Sequence, residues 1–148
     1  GILFNEYLRG GNPHKLTPRE FQIVAAANRY QYQPILKEKL DKGTIIVAED
    51  YWATSVAWGT GAGVSKEFLT KLNSGLIKED IAFLMDGDRF LAASEKEHQH
   101  EANHELTQQV RLIHQNLAKE NSWQIVDASQ SIEEIQMLVW NHIKPSII

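Results

Sequence analysis

A chain of 148 residues with 43% hydrophobic content is long enough to bury one real core, so a single domain over 1–148 is expected. It contains no cysteine, which excludes disulfides, thiolate metal centres and thiol redox chemistry, and suits a reducing, cytoplasmic setting. The formal charge of −4 is spread over interleaved acids and bases, and no apolar run approaches the roughly 20 residues of a membrane helix. The first residues also lack the pattern of a signal peptide. Neither a nucleic-acid groove nor a membrane partner is expected, and the chain reads as soluble.

The segment from Ile2 to Arg9 reads as the end of a helix, stopped by Gly10-Gly11-Asn12-Pro13. Thr17-Pro18-Arg19-Glu20 is a capping signature with proline at the first helical position, opening a helix to about Leu40 that Gly43 ends. Thr44-Ile45-Ile46-Val47-Ala48 is a short β-branched run that predicts a buried parallel strand, with Glu49-Asp50-Tyr51 at its C-terminal end. After the glycine-rich stretch Gly59-Thr60-Gly61-Ala62-Gly63 a helix is expected from Ser65 to about Ser74. Ile81 to Met85 predicts a second strand, tipped by Asp86-Gly87-Asp88, and a long helix follows through Val110, Ile113 and Leu117. Trp123 to Asp127 predicts a third strand, and Ser131 caps a last helix with Ile132, Ile135, Leu138, Val139 and Ile143 at helical spacing.

Strands alternating with helices define an α/β fold with a parallel sheet. Ligands in such sheets sit beyond the carboxyl ends of the strands, where Glu49, Asp50, Asp86 and Asp88 fall. Three strands are few for a sheet covered on both faces, so one or two N-terminal strands are expected to be missing. Phe21, Val24, Ile35 and Leu36 read as core or dimer contacts, and Trp123 and Trp140 as core or core-edge residues.

The order and spacing of these segments resemble the thymidylate kinase family, from just after its second strand to its C-terminus. The segments that carry the resemblance are Gly1 to Leu8, Ala26-Ala27-Asn28-Arg29-Tyr30, Glu49-Asp50-Tyr51, Thr54 to Gly59, Glu101 with Val110-Arg111, and Asp127-Ala128. The resemblance implies a three-layer, P-loop kinase-like parallel sheet flanked by helices, here lacking the N-terminal strand or strands and the phosphate-binding loop. It implies transfer of the γ-phosphoryl of ATP to dTMP with Mg2+, by an enzyme that pairs into a homodimer. It assigns Arg29 to the acceptor monophosphate, for which a planar, permanently charged fork is suited. Glu49-Asp50-Tyr51 stands where the family has Asp-Arg-Tyr: Glu49 remains a candidate magnesium ligand, Glu49 and Asp50 are the catalytic candidates, and the positive charge at position 50 is lost.

Ala25 stands where many relatives have a base-stacking phenylalanine, leaving Tyr30, Tyr32, Tyr51, Trp52 or Trp58 to take over that stacking. A lid at about 94–106 is implied, with His98, His100, Glu101 and Arg111 where relatives supply arginines. The histidines would carry charge only when their pKa is raised. No Gly-x-x-x-x-Gly-Lys-Ser/Thr occurs in the chain, so it holds no phosphate loop of its own. Two alternatives accompany this reading. One is an inactive nucleotide-binding or scaffold relative that kept the fold but lost the arginines. The other is a zinc hydrolase, since His100-Glu101-Ala102-Asn103-His104 matches H-E-x-x-H, although the flanking helix is almost wholly polar.

Overall fold

Eight elements follow one another in the computed structural model, which describes residues 2–87 and 104–147. They are helices α1 (Ile2–Arg9), α2 (Pro18–Asp41), α3 (Trp52–Gly61) and α4 (Lys66–Leu72), strand β1 (Phe83–Asp86), helix α5 (His104–Glu120), strand β2 (Gln124–Asp127) and helix α6 (Ile132–Ile147). The strands pair in parallel with Phe83 opposite Gln124 and Asp86 opposite Asp127. That pairing and the helix-rich envelope make the α/β class plain.

The Thr17 hydroxyl accepts from the Glu20 amide, while the Glu20 carboxylate accepts from the Thr17 amide at 2.7 Å and its hydroxyl at 2.8 Å. This reciprocal cap, with Pro18 at the first turn, sets the start of the 24-residue α2. Gly43, at φ +76°, turns the chain away beyond its end. Farther along α2, Tyr30 and Gln33 clamp the connection after α4. The Tyr30 hydroxyl donates to the Leu72 carbonyl at 3.0 Å and accepts from the Gly75 amide at 3.1 Å. Gln33 bonds the Gly75 carbonyl and the Ile77 amide.

The main core gathers Trp52, Val56 and Ala57 of α3, Leu69 of α4, Leu76, and Val110 and Leu117 of α5. A second, smaller cluster joins α1 to α2, where Tyr7 stacks on Phe21 with ring centroids 3.9 Å apart. Glycines make the main core dense. A methyl at Gly59 would lie 2.6 Å from a Leu69 methyl, and one at Gly61 would lie 2.8 Å from a Val110 methyl. The glycine-rich stretch is therefore half helix, with its glycines opening contact surfaces for α4 and α5.

Three expectations are corrected. Thr44 to Ala48 forms no strand: Ile45 and Val47 are exposed, and among the described residues no strand pairs with this run, so its β-branched pattern lacks the hydrogen-bonding neighbour a strand requires. Two paired strands are described where three were expected. Trp140 is 46% exposed on α6, none of whose residues is buried. Its helical spacing of apolar residues is real, but little else of the described chain lies against it. Trp123, by contrast, packs against the main core and meets Trp52 edge-on, with centroids 5.9 Å apart.

Candidate functional site

Helix α2 buries Ala25 and Ala26 almost completely and sets Arg29, one turn farther along the same face, half-buried against the start of α3. The guanidinium donates to the Ser55 hydroxyl at 2.6 Å and to the Asp50 carbonyl at 3.1 Å. It also stands 6.0 Å from the centroid of the Tyr51 ring. Burial pushes its pKa below the ordinary arginine value, while Tyr51 and Asp50 oppose the shift. An arginine starts so high that it keeps its charge, so this is a half-desolvated, aimed cation.

The receiving backbone is bent to meet it. Asp50 has φ +53°, a left-handed conformation that aspartate tolerates better than most residues but still at a cost of about 1 kcal/mol. Its carboxylate accepts from the Thr54 hydroxyl at 3.1 Å. The kink turns the extended chain into α3 and points the Asp50 carbonyl at Arg29. Tyr51, at the head of α3, offers no side-chain cap to the first turn, so the leading amides of that helix are available to an anion. The Tyr51 hydroxyl is buried without a hydrogen-bond partner among the described residues. Burial raises its pKa, with Arg29 opposing.

The third wall is α5. Arg111 donates to one oxygen of Asp86 at 2.7 Å and Gln115 to the other at 2.8 Å. The Arg111 hydrogen bond is the main reason the Asp86 carboxyl is held below its usual range, with Gln115 assisting and burial opposing. His114 lies between them on the helix, half-buried. Burial lowers its pKa, whereas the charge of Asp50 and a hydrogen bond to the Val110 carbonyl raise it. Arg29, Asp50, Tyr51 and Ser55 thus form one cluster on α2 and at the head of α3, α5 packs against α3 in the main core, and Arg111 ties α5 to the tip of β1.

Of the residues singled out from sequence, Arg29, Asp50, Tyr51 and Arg111 fall in this region. Glu49 is exposed, one residue before Asp50. Ala25 is buried beneath the same helix face, and Trp58 packs against the main core. Trp52 is withdrawn from any base-stacking role: it is 4% exposed, its indole N–H donates to Glu79 at 2.7 Å, and Lys78 covers its ring at 3.3 Å. Tyr30 is committed to its clamp, and Tyr32 lies under the Lys39 ammonium. That leaves Tyr51 as the aromatic ring beside Arg29. Asp88, His98, His100 and Glu101, with most of the expected lid, lie outside the described residues.

Gln115 escaped the sequence reading, while Ser55 entered it only as part of the Thr54 to Gly59 segment and His114 only as a candidate third ligand of the zinc alternative. Ser55 had a signal, because it follows Tyr51 by four residues and so shares its face once Trp52–Gly61 is recognised as a helix. The glycines at the end of that segment hid the helix. His114 and Gln115 are separated from Arg111 by three and four positions, the spacing that places them on its face. Among the described residues no group of three or more His, Cys, Asp or Glu side chains is arranged to hold a metal ion, and no helix is long and apolar enough to cross a membrane.

Comparison with known proteins gives one consistent result. The family described as "Thymidylate kinase" matches residues 1–139. A probable thymidylate kinase of Pyrobaculum aerophilum is 29% identical over 97% of this chain and 77% of its own length. The thymidylate kinase of Dictyostelium discoideum is 26% identical over 91% of this chain. That of Homo sapiens is 29% identical over 91% of this chain. The chain spans 61% of the length of the Dictyostelium relative and 65% of the human one.

Proposed function

The chain belongs to the thymidylate kinase family, and from that premise we propose that it serves the transfer of the γ-phosphoryl of ATP to thymidine monophosphate. The observation that carries this reading is the pre-set Arg29, whose guanidinium is fixed by Ser55 and the Asp50 carbonyl beside Tyr51. Phosphoryl transfer asks a protein mainly to position its reactants and to neutralise charge. An arginine already held in place loses little freedom when it binds an acceptor nucleotide. Tyr51 supplies a ring face beside it, and the uncapped start of α3 supplies amides for negative charge.

Magnesium fits the residues at hand in a limited way. Its habit is one or two carboxylates completed by phosphate oxygens and water, and the exposed Glu49 carboxylate meets that need, whereas both Asp86 oxygens are taken by Arg111 and Gln115. When bound with ATP, the ion would screen the charge of the transferring phosphates. Glu49 would hold it, and Asp50 would line the acceptor side. His98, His100, Glu101 and Arg111 are the lid contribution we assign. The outer face of α2, where Ile23 and Ile35 are exposed, suits pairing with a second copy, and a cytoplasmic setting supplies both nucleotides.

A coupled assay of ADP formation with ATP, magnesium and each pyrimidine monophosphate tests the proposal on the full chain. Turnover is expected with dTMP. In Arg29→Ala, kcat/KM should fall about 100-fold, the scale of two charge-assisted hydrogen bonds. No turnover above background with any of these acceptors would refute it.

A further inference from the structure

Arg29 can serve an acceptor phosphate only if its fork is held in one place, and two acceptors hold it. One is the Ser55 hydroxyl at 2.6 Å, on a residue only 4% exposed in the first turn of α3. The other is the Asp50 carbonyl at 3.1 Å. A main-chain carbonyl points where its backbone dihedrals send it, and Asp50 sits at φ +53°, a conformation that persists only where its surroundings hold it. The brace lies one turn away. The Thr54 hydroxyl donates to the Asp50 carboxylate at 3.1 Å, which ties the side chain on the strained backbone to the body of α3. Successive residues of a helix point about 100° apart, so the two neighbours reach different groups. Ser55 turns inward to the guanidinium, and the half-buried Thr54 turns to the carboxylate ahead of the helix.

We propose that Ser55 and Thr54 are positioning residues of the acceptor site. Ser55 fixes Arg29 by direct contact, and Thr54 fixes it through Asp50, whose carboxylate anchors the left-handed turn that aims its carbonyl. The proposal rests on the kinase reading and adds to it a division of labour within α3. A loose arginine must be ordered each time a nucleotide binds, whereas a braced one was ordered on folding, so losing a brace weakens the acceptor without touching the donor. Because Arg29 would hold the acceptor before and during transfer alike, the loss falls on KM and spares kcat.

Steady-state kinetics on the full chain, with dTMP and ATP varied in turn, test this in Ser55→Ala, Thr54→Val and Thr54→Ser. Ser55→Ala should raise the KM for dTMP about 10-fold, the scale of one hydrogen bond to a charged group, and the indirect brace lost in Thr54→Val should raise it about 3-fold. The values of kcat and of the KM for ATP should stay unchanged, and Thr54→Ser, which keeps the hydroxyl, should match wild type. In an Arg29→Ala background neither Ser55→Ala nor Thr54→Val should lower kcat/KM further, because the side chain they brace is gone. Penalties that add to that of Arg29→Ala, or that fall equally on the KM for ATP, overturn the positioning roles and leave the kinase reading standing. Nuclear magnetic resonance of the wild type gives a measurement without turnover. A guanidinium anchored at both terminal nitrogens rotates slowly, so Arg29 should show separate Nη resonances, and Ser55→Ala should average them; a single averaged signal in the wild type overturns the anchoring. Absence of turnover with every pyrimidine monophosphate overturns the kinase reading instead, while these resonances still decide whether Arg29 is braced.

Discussion

Gly59 offers a stringent test of the packing that holds the site together. In Gly59→Ala the new methyl would meet the Leu69 side chain at 2.6 and 3.2 Å and the Gln22 side chain at 3.0 Å. Leu69 is 0% exposed and Gln22 only 3%, so neither can swing into solvent. Overpacking of this kind costs about 1–3 kcal/mol, and three short contacts on rigid neighbours place it in the upper half of that range. Against this, replacing glycine by alanine inside a helix gains about 1 kcal/mol. The net is a loss of about 1–2 kcal/mol, which for a chain of this size lowers the melting temperature by about 3–6 °C. Thermal unfolding followed by circular dichroism reads this directly. A double-mutant cycle identifies the cause: Leu69→Ala alone should cost about 2–5 kcal/mol, but combined with Gly59→Ala the penalties should fall short of their sum by at least about 1 kcal/mol. A Gly59→Ala protein that melts higher than wild type, or strictly additive penalties, would mean that α3 and α4 do not approach as described.

Thr17→Ala removes the hydroxyl that caps α2 and should cost about 1 kcal/mol in urea denaturation with an unchanged m-value; an unchanged midpoint would show that the cap contributes nothing. The Asp86 carboxyl has a depressed pKa in the folded chain, so its contribution is fully present above the ordinary carboxylate value near about 4 and is lost as pH falls through the lower folded value. Asp86→Asn should therefore flatten the acid limb of the stability profile, while the effect at neutral pH stays under about 1 kcal/mol because the Arg111 side chain is 42% exposed; superimposable acid limbs would contradict this. Asp50→Asn removes a negative charge from the acceptor side while keeping a side chain that tolerates the left-handed backbone, and should lower the KM for dTMP; a raised KM would show that the carboxylate helps rather than hinders.

The helices most legible in the sequence were those with local signals. Thr17-Pro18-Arg19-Glu20 and Ser131 announced α2 and α6 because a cap is satisfied within four residues and needs no distant partner. Strands β1 and β2 were also legible, to within two residues, from short apolar runs ending in aspartate. Arg29 could be singled out as a candidate by the segment around it. Tertiary structure decided what depends on neighbours far along the chain. Thr44 to Ala48 has strand-like residues but no partner among the described strands, and strand formation requires one. Trp52–Gly61 has glycines that argue against a helix locally, yet packing against Leu69 and Val110 demands small residues there and stabilises it. The same distance effect gave Trp52 to the core and Tyr30 to a loop clamp. Local hydrogen bonding is written in adjacent residues, whereas the Arg29–Ser55 hydrogen bond and the Arg111–Asp86 ion pair exist only after distant elements pack.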